Sequence, residues 1–195
     1  MPSSALPVDI GSYIIMAKRN SLQFDPVTIE CLQGDITEQP DMDAIVNAAN
    51  AQLMPGGGVA GAIHSKAGPG LAQECGPLAP IRPGQAVITG AHDLPNKHVI
   101  HCLGPIYGID RPEDKLLANC YRNALSLAEA NALESIAFPA ISTGAFGYPL
   151  EPAARVTFAA IRDFNAYRSL QRVRFVLWSE QDWNLFSHVM EEILS

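Results

Sequence analysis

No stretch of this sequence approaches the roughly 18 consecutive apolar residues that a membrane-crossing helix requires. Blocks of basic residues are missing as well: 13 Lys and Arg are scattered among 20 Asp and Glu, for a net charge of −7. Nucleic-acid surfaces show clustered Lys and Arg, so a nucleic-acid partner is not expected. The four cysteines, Cys31, Cys75, Cys102 and Cys120, lie far apart and make no C-x-x-C pair. Buried, reduced thiols in a cytoplasmic protein are the expectation. The N-terminal residues lack a basic region followed by a long apolar one, so no signal peptide is expected. Internal repeats, low-complexity segments and heptads are also missing, which leaves a monomer as the default.

What is present suits one globular domain. At 195 residues and 48% hydrophobic, the chain is long enough to bury about 70% of its unfolded surface. Residues 1–20 read as an extension with a possible edge strand at Tyr13–Met16 and a turn at Lys18–Ser21; residues 21–195 read as the domain. Strands are expected at Val27–Leu32, Ala44–Ala49, Ala86–Thr89, His98–Leu103, Ser135–Ala140 and Val173–Trp178. Helices are expected from Val59 to Ala67, Pro112 to Asn131, 150 to 167, and through Leu185 and Ile193. Gly68 to Pro83, dense in glycine and proline, reads mostly as loop, with a turn of helix around Leu71–Cys75. Strands that alternate with helices give a three-layer α/β/α sandwich around a mixed, largely parallel sheet.

Two stretches share one layout. The apolar run Ala44–Ala49 carries Asn47 and Asn50 at its carboxyl end, then come Gly56-Gly57-Gly58 and a helix start. Ser135–Ala140 is followed by Ser142-Thr143-Gly144-Ala145-Phe146-Gly147 and a helix opening near Leu150. Glycine lets backbone N–H groups approach a ligand closely, and a helix start adds unpaired donors and positive dipole, a combination suited to phosphate. A pair of such loops at strand carboxyl ends is placed to hold a diphosphate. Neither familiar nucleotide fingerprint fits, however. Gly56-x-Gly58-x-x-Gly61 is separated from its strand, and no acid lies between Cys75 and His92 to hold a ribose. A Walker loop would end in Gly-Lys-Ser/Thr, but Gly61 is followed by Ala62-Ile63. His98 and His101, three apart in a strand, face opposite sides, and no metal is expected.

Four motifs in order carry a resemblance: Gly34-Asp35-Ile36-Thr37, Ile45-Val46-Asn47-Ala48-Ala49-Asn50, Gly56-Gly57-Gly58-Val59-x-Gly61-Ala62-Ile63-His64, and Ile141-Ser142-Thr143-Gly144-x-Phe146-Gly147-Tyr148-Pro149. They resemble the macrodomain family, modules that bind ADP-ribose, from about Val27 to the C-terminus. The resemblance implies that Asp35 accepts a hydrogen bond from the adenine amine, with the Ile36 N–H nearby. It places Ala48 and Asn50 on the distal ribose, and it implies a catalytic role for Asn50. Gly56, Gly57, Gly58 and Val59 become the first phosphate loop, and Ser142, Thr143, Gly144, Ala145 and Phe146 the second, with Phe146 against the ribose. Trp178 falls where the family often stacks an aromatic on adenine, although an apolar strand end by itself reads more simply as core. Asn47 reads as a structural strand-end residue, and His64 as packed or half exposed.

The resemblance further implies hydrolysis of ADP-ribosyl esters, meaning removal of mono-ADP-ribose from Asp or Glu of modified proteins or deacetylation of O-acetyl-ADP-ribose, with no cofactor. MacroD-type hydrolases carry an Asp ten residues beyond the second asparagine; here that position is Ala60. Viral-type macrodomains share the alanine. A non-catalytic reader of ADP-ribose is therefore the alternative, and a different nucleotide or a nucleic-acid end is a third.

Overall fold

The computed structural model describes residues 18–195. Among them the strands are β1 (Arg19–Phe24), β2 (Val27–Gln33), β3 (Ala44–Ala48), β4 (Ala86–Gly90), β5 (His98–Cys102), β6 (Ser135–Phe138) and β7 (Arg172–Leu177). The helices are α1 (Gly58–Ala67), α2 (Pro69–Cys75), α3 (Glu113–Ala130), α4 (Leu150–Asp163) and α5 (Glu180–Leu194). One sheet holds all seven described strands in the order β1-β2-β7-β6-β3-β5-β4. Only the outermost pairings, β1 with β2 and β4 with β5, are antiparallel. The five strands between run parallel, as a βα-alternating sequence requires.

Both faces of this sheet are covered, so its strands bury alternate residues in two separate cores. Val46 of β3, Ile100 of β5 and Val173 and Phe175 of β7 pack under α3, α4 and α5. Ile45, Val99 and Val176, one position away on the same strands, pack under α1 and α2. The result is the expected three-layer sandwich. Stacked aromatics anchor the larger layer, with Phe138 and Phe175 at 5.6 Å and Phe158 edge-on to Phe175 at 5.0 Å.

Three local readings are corrected. Lys18–Ser21 is not a turn: Arg19–Phe24 form β1, paired residue for residue with β2. The polar side chains Arg19, Asn20, Ser21 and Gln23 hide a strand that exists because β2 offers it a partner. The expected Tyr13–Met16 strand lies outside the described residues. The helix expected over 150–167 stops at Asp163, with Phe164 extended at φ −77° and ψ 111°. Its end is closed by Tyr167, whose hydroxyl donates to the Ile161 carbonyl at 3.1 Å while its ring meets Phe164 edge-on. Finally, Gly68–Pro83 is more helical than read, with α2 starting on Pro69 and a short 3₁₀ turn at Gly76–Leu78.

Candidate functional site: a two-lobed cleft at the strand ends

Because β2, β7, β6, β3 and β5 are parallel, their carboxyl ends emerge on one edge of the sheet. Gly34–Ile36 follows β2, Asn50–Gly58 follows β3, Gly104 follows β5, Pro139–Phe146 follows β6 and Trp178 follows β7. Five loops thus converge where α/β sheets place their ligands. They enclose a cleft in two lobes. The first, of about 430 Å³, is lined by Gly34, Asp35, Ile36, Ala62, Pro139, Val176 and Trp178, together with Gly58 and Val59. The second, of about 320 Å³, is also lined by Gly58 and Val59. Across it stand Ala48 and Asn50 on one side and Ser142, Gly144, Ala145 and Phe146 on the other. The shared Gly58–Val59 backbone joins the lobes.

In the first lobe Asp35 is held rather than loose. Its Oδ1 accepts from the Thr37 N–H (2.8 Å) and the Thr37 hydroxyl (2.6 Å), which leaves Oδ2 for a ligand. Burial works to raise its pKa, but the two Thr37 bonds and the Lys66 charge outweigh it and hold the carboxyl below its ordinary value. It is ionised at neutral pH. Trp178 is 78% exposed and forms a wall of this lobe, so it is not the core residue that an apolar strand end suggests. An exposed indole beside a carboxylate and a free backbone amide suits a planar base carrying an amine.

The second lobe is built from backbone. Gly58 sits at φ +56°, in the left-handed region, and turns the chain into α1. A Cβ on Gly61 would overlap the Gly56 carbonyl oxygen, so the loop rests directly on the helix. Gly57 is the N-cap, no acid occupies the first turn of α1, and among the described residues no Lys or Arg lines either lobe. What faces the lobe is therefore unpaired N–H groups and the positive end of a helix, an anion site without a cation. Opposite, Ser142 also lies at positive φ (67°), and its buried Oγ has no partner among the described residues. That hydroxyl is available to an oxygen-rich ligand. Phe146 is fixed through its carbonyl, which accepts from the Tyr107 N–H at 2.9 Å.

Asn50 makes two bonds of its own. Its Nδ2 donates to the Met54 carbonyl (2.8 Å), and its Oδ1 accepts from the Met54 N–H (3.1 Å). The amide is thereby oriented, with one N–H and one oxygen lone pair to spare for a ligand hydroxyl. Thr143, expected with its neighbours, lines neither lobe; its hydroxyl donates to the Ala140 carbonyl at 2.9 Å. Asn47 points into the sheet, where its Nδ2 meets His101 Nδ1 at 3.1 Å, as a strand-end structural residue would. His64, on α1, is 5% exposed and lies on the side of that helix facing His101 of β5. Ala49, Ala62, Gly104, Pro139, Ala140, Ile141 and Val176 join the lining although the sequence reading gave them no role in the site. Gly104 was within reach, since it directly follows a parallel strand; the others are apolar residues with no chemical signature. Among the described residues no group of three His, Cys, Asp or Glu is gathered to hold a metal.

Known proteins bear on this geometry. The family model described as Macro domain matches residues 46–157. A macro domain-containing protein of Caldanaerobacter subterraneus subsp. tengcongensis is 46% identical, over 85% of this chain and 97% of its own. A Salmonella typhimurium protein named O-acetyl-ADP-ribose deacetylase is 47% identical, over 84% of this chain and 94% of its own. An Oceanobacillus iheyensis macrodomain solved with ADP superposes with a TM-score of 0.86 at 37% identity, covering 91% of this chain and 97% of that one. A Trypanosoma brucei macrodomain in complex with ADP-ribose superposes with a TM-score of 0.75 at 39% identity, covering 82% of this chain and 68% of that one. The fold and its edge of converging loops define an α/β nucleotide-type binding module. The chain belongs to the macro domain family.

Proposed function

We propose that this protein binds ADP-ribose along the cleft and hydrolyses ADP-ribosyl esters, O-acetyl-ADP-ribose among them. The observation that carries the reading is the continuity of the two lobes through Gly58–Val59. One end offers a carboxylate and an indole, the middle offers cation-free backbone donors, and the far end offers an asparagine amide. That order matches adenine, diphosphate and distal ribose. In this reading Asp35 Oδ2 and the Ile36 N–H take the base, and Trp178 covers it. Gly56, Gly57, Gly58 and Val59 face Ser142, Gly144 and Ala145 across the diphosphate. Ala48, Asn50 and Phe146 hold the distal ribose. The relatives named as deacetylases at 47% identity support the reaction, and the relatives solved with ADP and ADP-ribose support the ligand.

The chemistry is one of placement. Asn50, oriented by Met54, fixes the ribose hydroxyls so that the ester carbonyl lies beside a water held by a substrate phosphate. Attack of that water releases the acid and ADP-ribose. Positioning and backbone stabilisation of the developing oxyanion do the work. Mono-ADP-ribosylated proteins are the larger substrates of the same bond type. The four free, buried thiols fit a reducing, cytoplasmic setting.

A reader without catalysis is the second reading, favoured by one observation: among the described residues none lining the second lobe titrates, and Ala60 stands where an acid would act as base. Two measurements separate them. Calorimetry is expected to show ADP-ribose binding, and wild type is expected to deacetylate O-acetyl-ADP-ribose with Asn50→Ala slower by roughly 10–100-fold. Tight ADP-ribose binding with untouched ester would leave only the reader; no binding would remove both.

A further inference from the structure

Arg174, on β7, is 3% exposed, a guanidinium inside the protein. Such a group is tolerated when its donors are matched. Its Nε donates to Glu30 Oε2 on β2 (2.8 Å), Nη1 to Gln39 Oε1 and Asp41 Oδ1 (2.8 Å each), and Nη2 to Asp41 Oδ2 (2.7 Å). Gln39 is equally buried. The other end of its amide, Nε2, donates to the backbone carbonyl of Asp35 at 2.8 Å. A guanidinium only donates, so the Gln39 oxygen must face Arg174 and its NH₂ must face Asp35. The Gln39 main-chain carbonyl is itself gripped by Asn96 Nδ2 at 2.8 Å.

The ion pairs among Arg174, Glu30 and Asp41 have a sufficient explanation in the fold, since they tie β7 to β2 and to the end of the loop. Gln39 Oε1 likewise matches a buried Nη1 donor, but that role uses only the oxygen end of the amide. What the amide adds is a fixed link from a rigid strand to the residue that bears the first lobe's carboxylate. With its carbonyl bound by Gln39 and its Oδ1 bound by Thr37, Asp35 has a single oxygen left, aimed by the other constraints. β7 supplies the frame: Arg174, Val176 and Trp178 alternate onto one face, the first holding Gln39 and the other two lining the lobe.

We propose that Gln39 is a positioning residue for nucleobase selection, aligning the Asp35 carboxylate on the exocyclic amine through the Arg174–Gln39–Asp35 chain. This rests on the reading that the first lobe takes adenine. It predicts a loss specific to the amine, not a general loss of binding. The test compares ADP-ribose with inosine diphosphate ribose, which carries an oxygen in place of that amine, by calorimetry on wild type, Gln39→Met and Gln39→Glu. The glutamate keeps its contact with Arg174 but has no donor for the Asp35 carbonyl, and melting temperatures report whether each variant folds. Wild type is expected to favour ADP-ribose by about tenfold or more. Both variants are expected to lose about tenfold on ADP-ribose and less than about twofold on the inosine ligand. Equal weakening of both ligands, or discrimination left at the wild-type level, overturns the proposal. Wild type that binds neither ligand overturns the ADP-ribose reading, and the proposal with it; wild type that binds both equally overturns the amine contact and the proposal but leaves the ADP-ribose reading standing.

Discussion

At position 60 the protein carries a methyl group that is buried against the cleft. Among the described residues no titrating side chain lines that lobe, so none there is placed to shape the pH–rate profile. Ester hydrolysis is expected to rise smoothly with hydroxide between pH 6 and 9, with no bell. Ala60→Asp should add a plateau and a general-base gain on the order of 10² in kcat, while its charge weakens ADP-ribose binding. Steady-state kinetics on both proteins decide this; a bell-shaped wild-type profile would require an acid or base from elsewhere. Gly104 matters for a different reason. A Cβ there would overlap Ser142 Oγ and come within 2.7 Å of Ile141 Cγ2. Gly104→Ala is expected to cost about 1–3 kcal/mol of stability and to weaken ADP-ribose binding, because the second loop must shift. Urea unfolding with calorimetry measures both, and no change in either would show that the loop yields freely.

Among the elements, α1 bears most on the ligand. Its first turn, Gly58 to Ala60, supplies backbone donors, no acid competes there for the dipole, and among the described residues no cation lines the cleft. Backbone N–H donors carry only partial charges, so their hold on an anion varies less with salt than that of clustered side-chain cations. Raising NaCl from 50 to 500 mM should therefore move the ADP-ribose Kd by less than about twofold. A tenfold loss would mean that side-chain cations bind the diphosphate after all. The chain's own charge of −7 acts in the same sense, since salt screens its repulsion of an anion.

For the whole molecule, the polar cluster between sheet and α1 sets a pH limit on stability. His101 is fully buried, its Nδ1 facing the Asn47 amide and its Nε2 facing the Thr89 hydroxyl at 2.9 Å. Burial, with His64 beside it at 6.4 Å between ring centres, pushes its pKa down to about 4. Burial also lowers that of His64. The unfolded chain protonates these imidazoles near pH 6.5. Between that value and the folded one the unfolded state holds more protons, so stability is complete above pH 6.5 and is lost as pH falls toward 4. Urea unfolding at pH 7 and pH 5 is expected to differ by about 2 kcal/mol for His101 alone, and by less in His101→Gln. Equal stability at the two pH values would show that His101 is not held neutral.

Much of this molecule was legible in the linear chain because its signals are local. Ala44–Ala49 and Ser135–Ala140 are apolar runs that end in small polar residues, and three successive glycines announce a backbone site before α1. Period and composition sufficed for five parallel strands, for α1 and α3 and for both loops, whereas α2 read mostly as loop and α4 was carried past its end at Asp163. The strand β1 was not legible, since Arg19, Asn20, Ser21 and Gln23 are polar and only the β2 edge makes them extend. Trp178 was also undecided: an aromatic after an apolar strand faces core or solvent according to what covers it, and here it stands exposed beside the loop after β2. Gln39 carried no signal at all. A glutamine in a loop becomes a link only when Arg174, 135 residues away, is brought across the sheet. Residues whose roles come from their own chemistry or from their strand neighbours could be read in order. Those whose roles come from contacts across strands needed the folded sheet, because only parallel pairing brings five distant carboxyl ends to one edge.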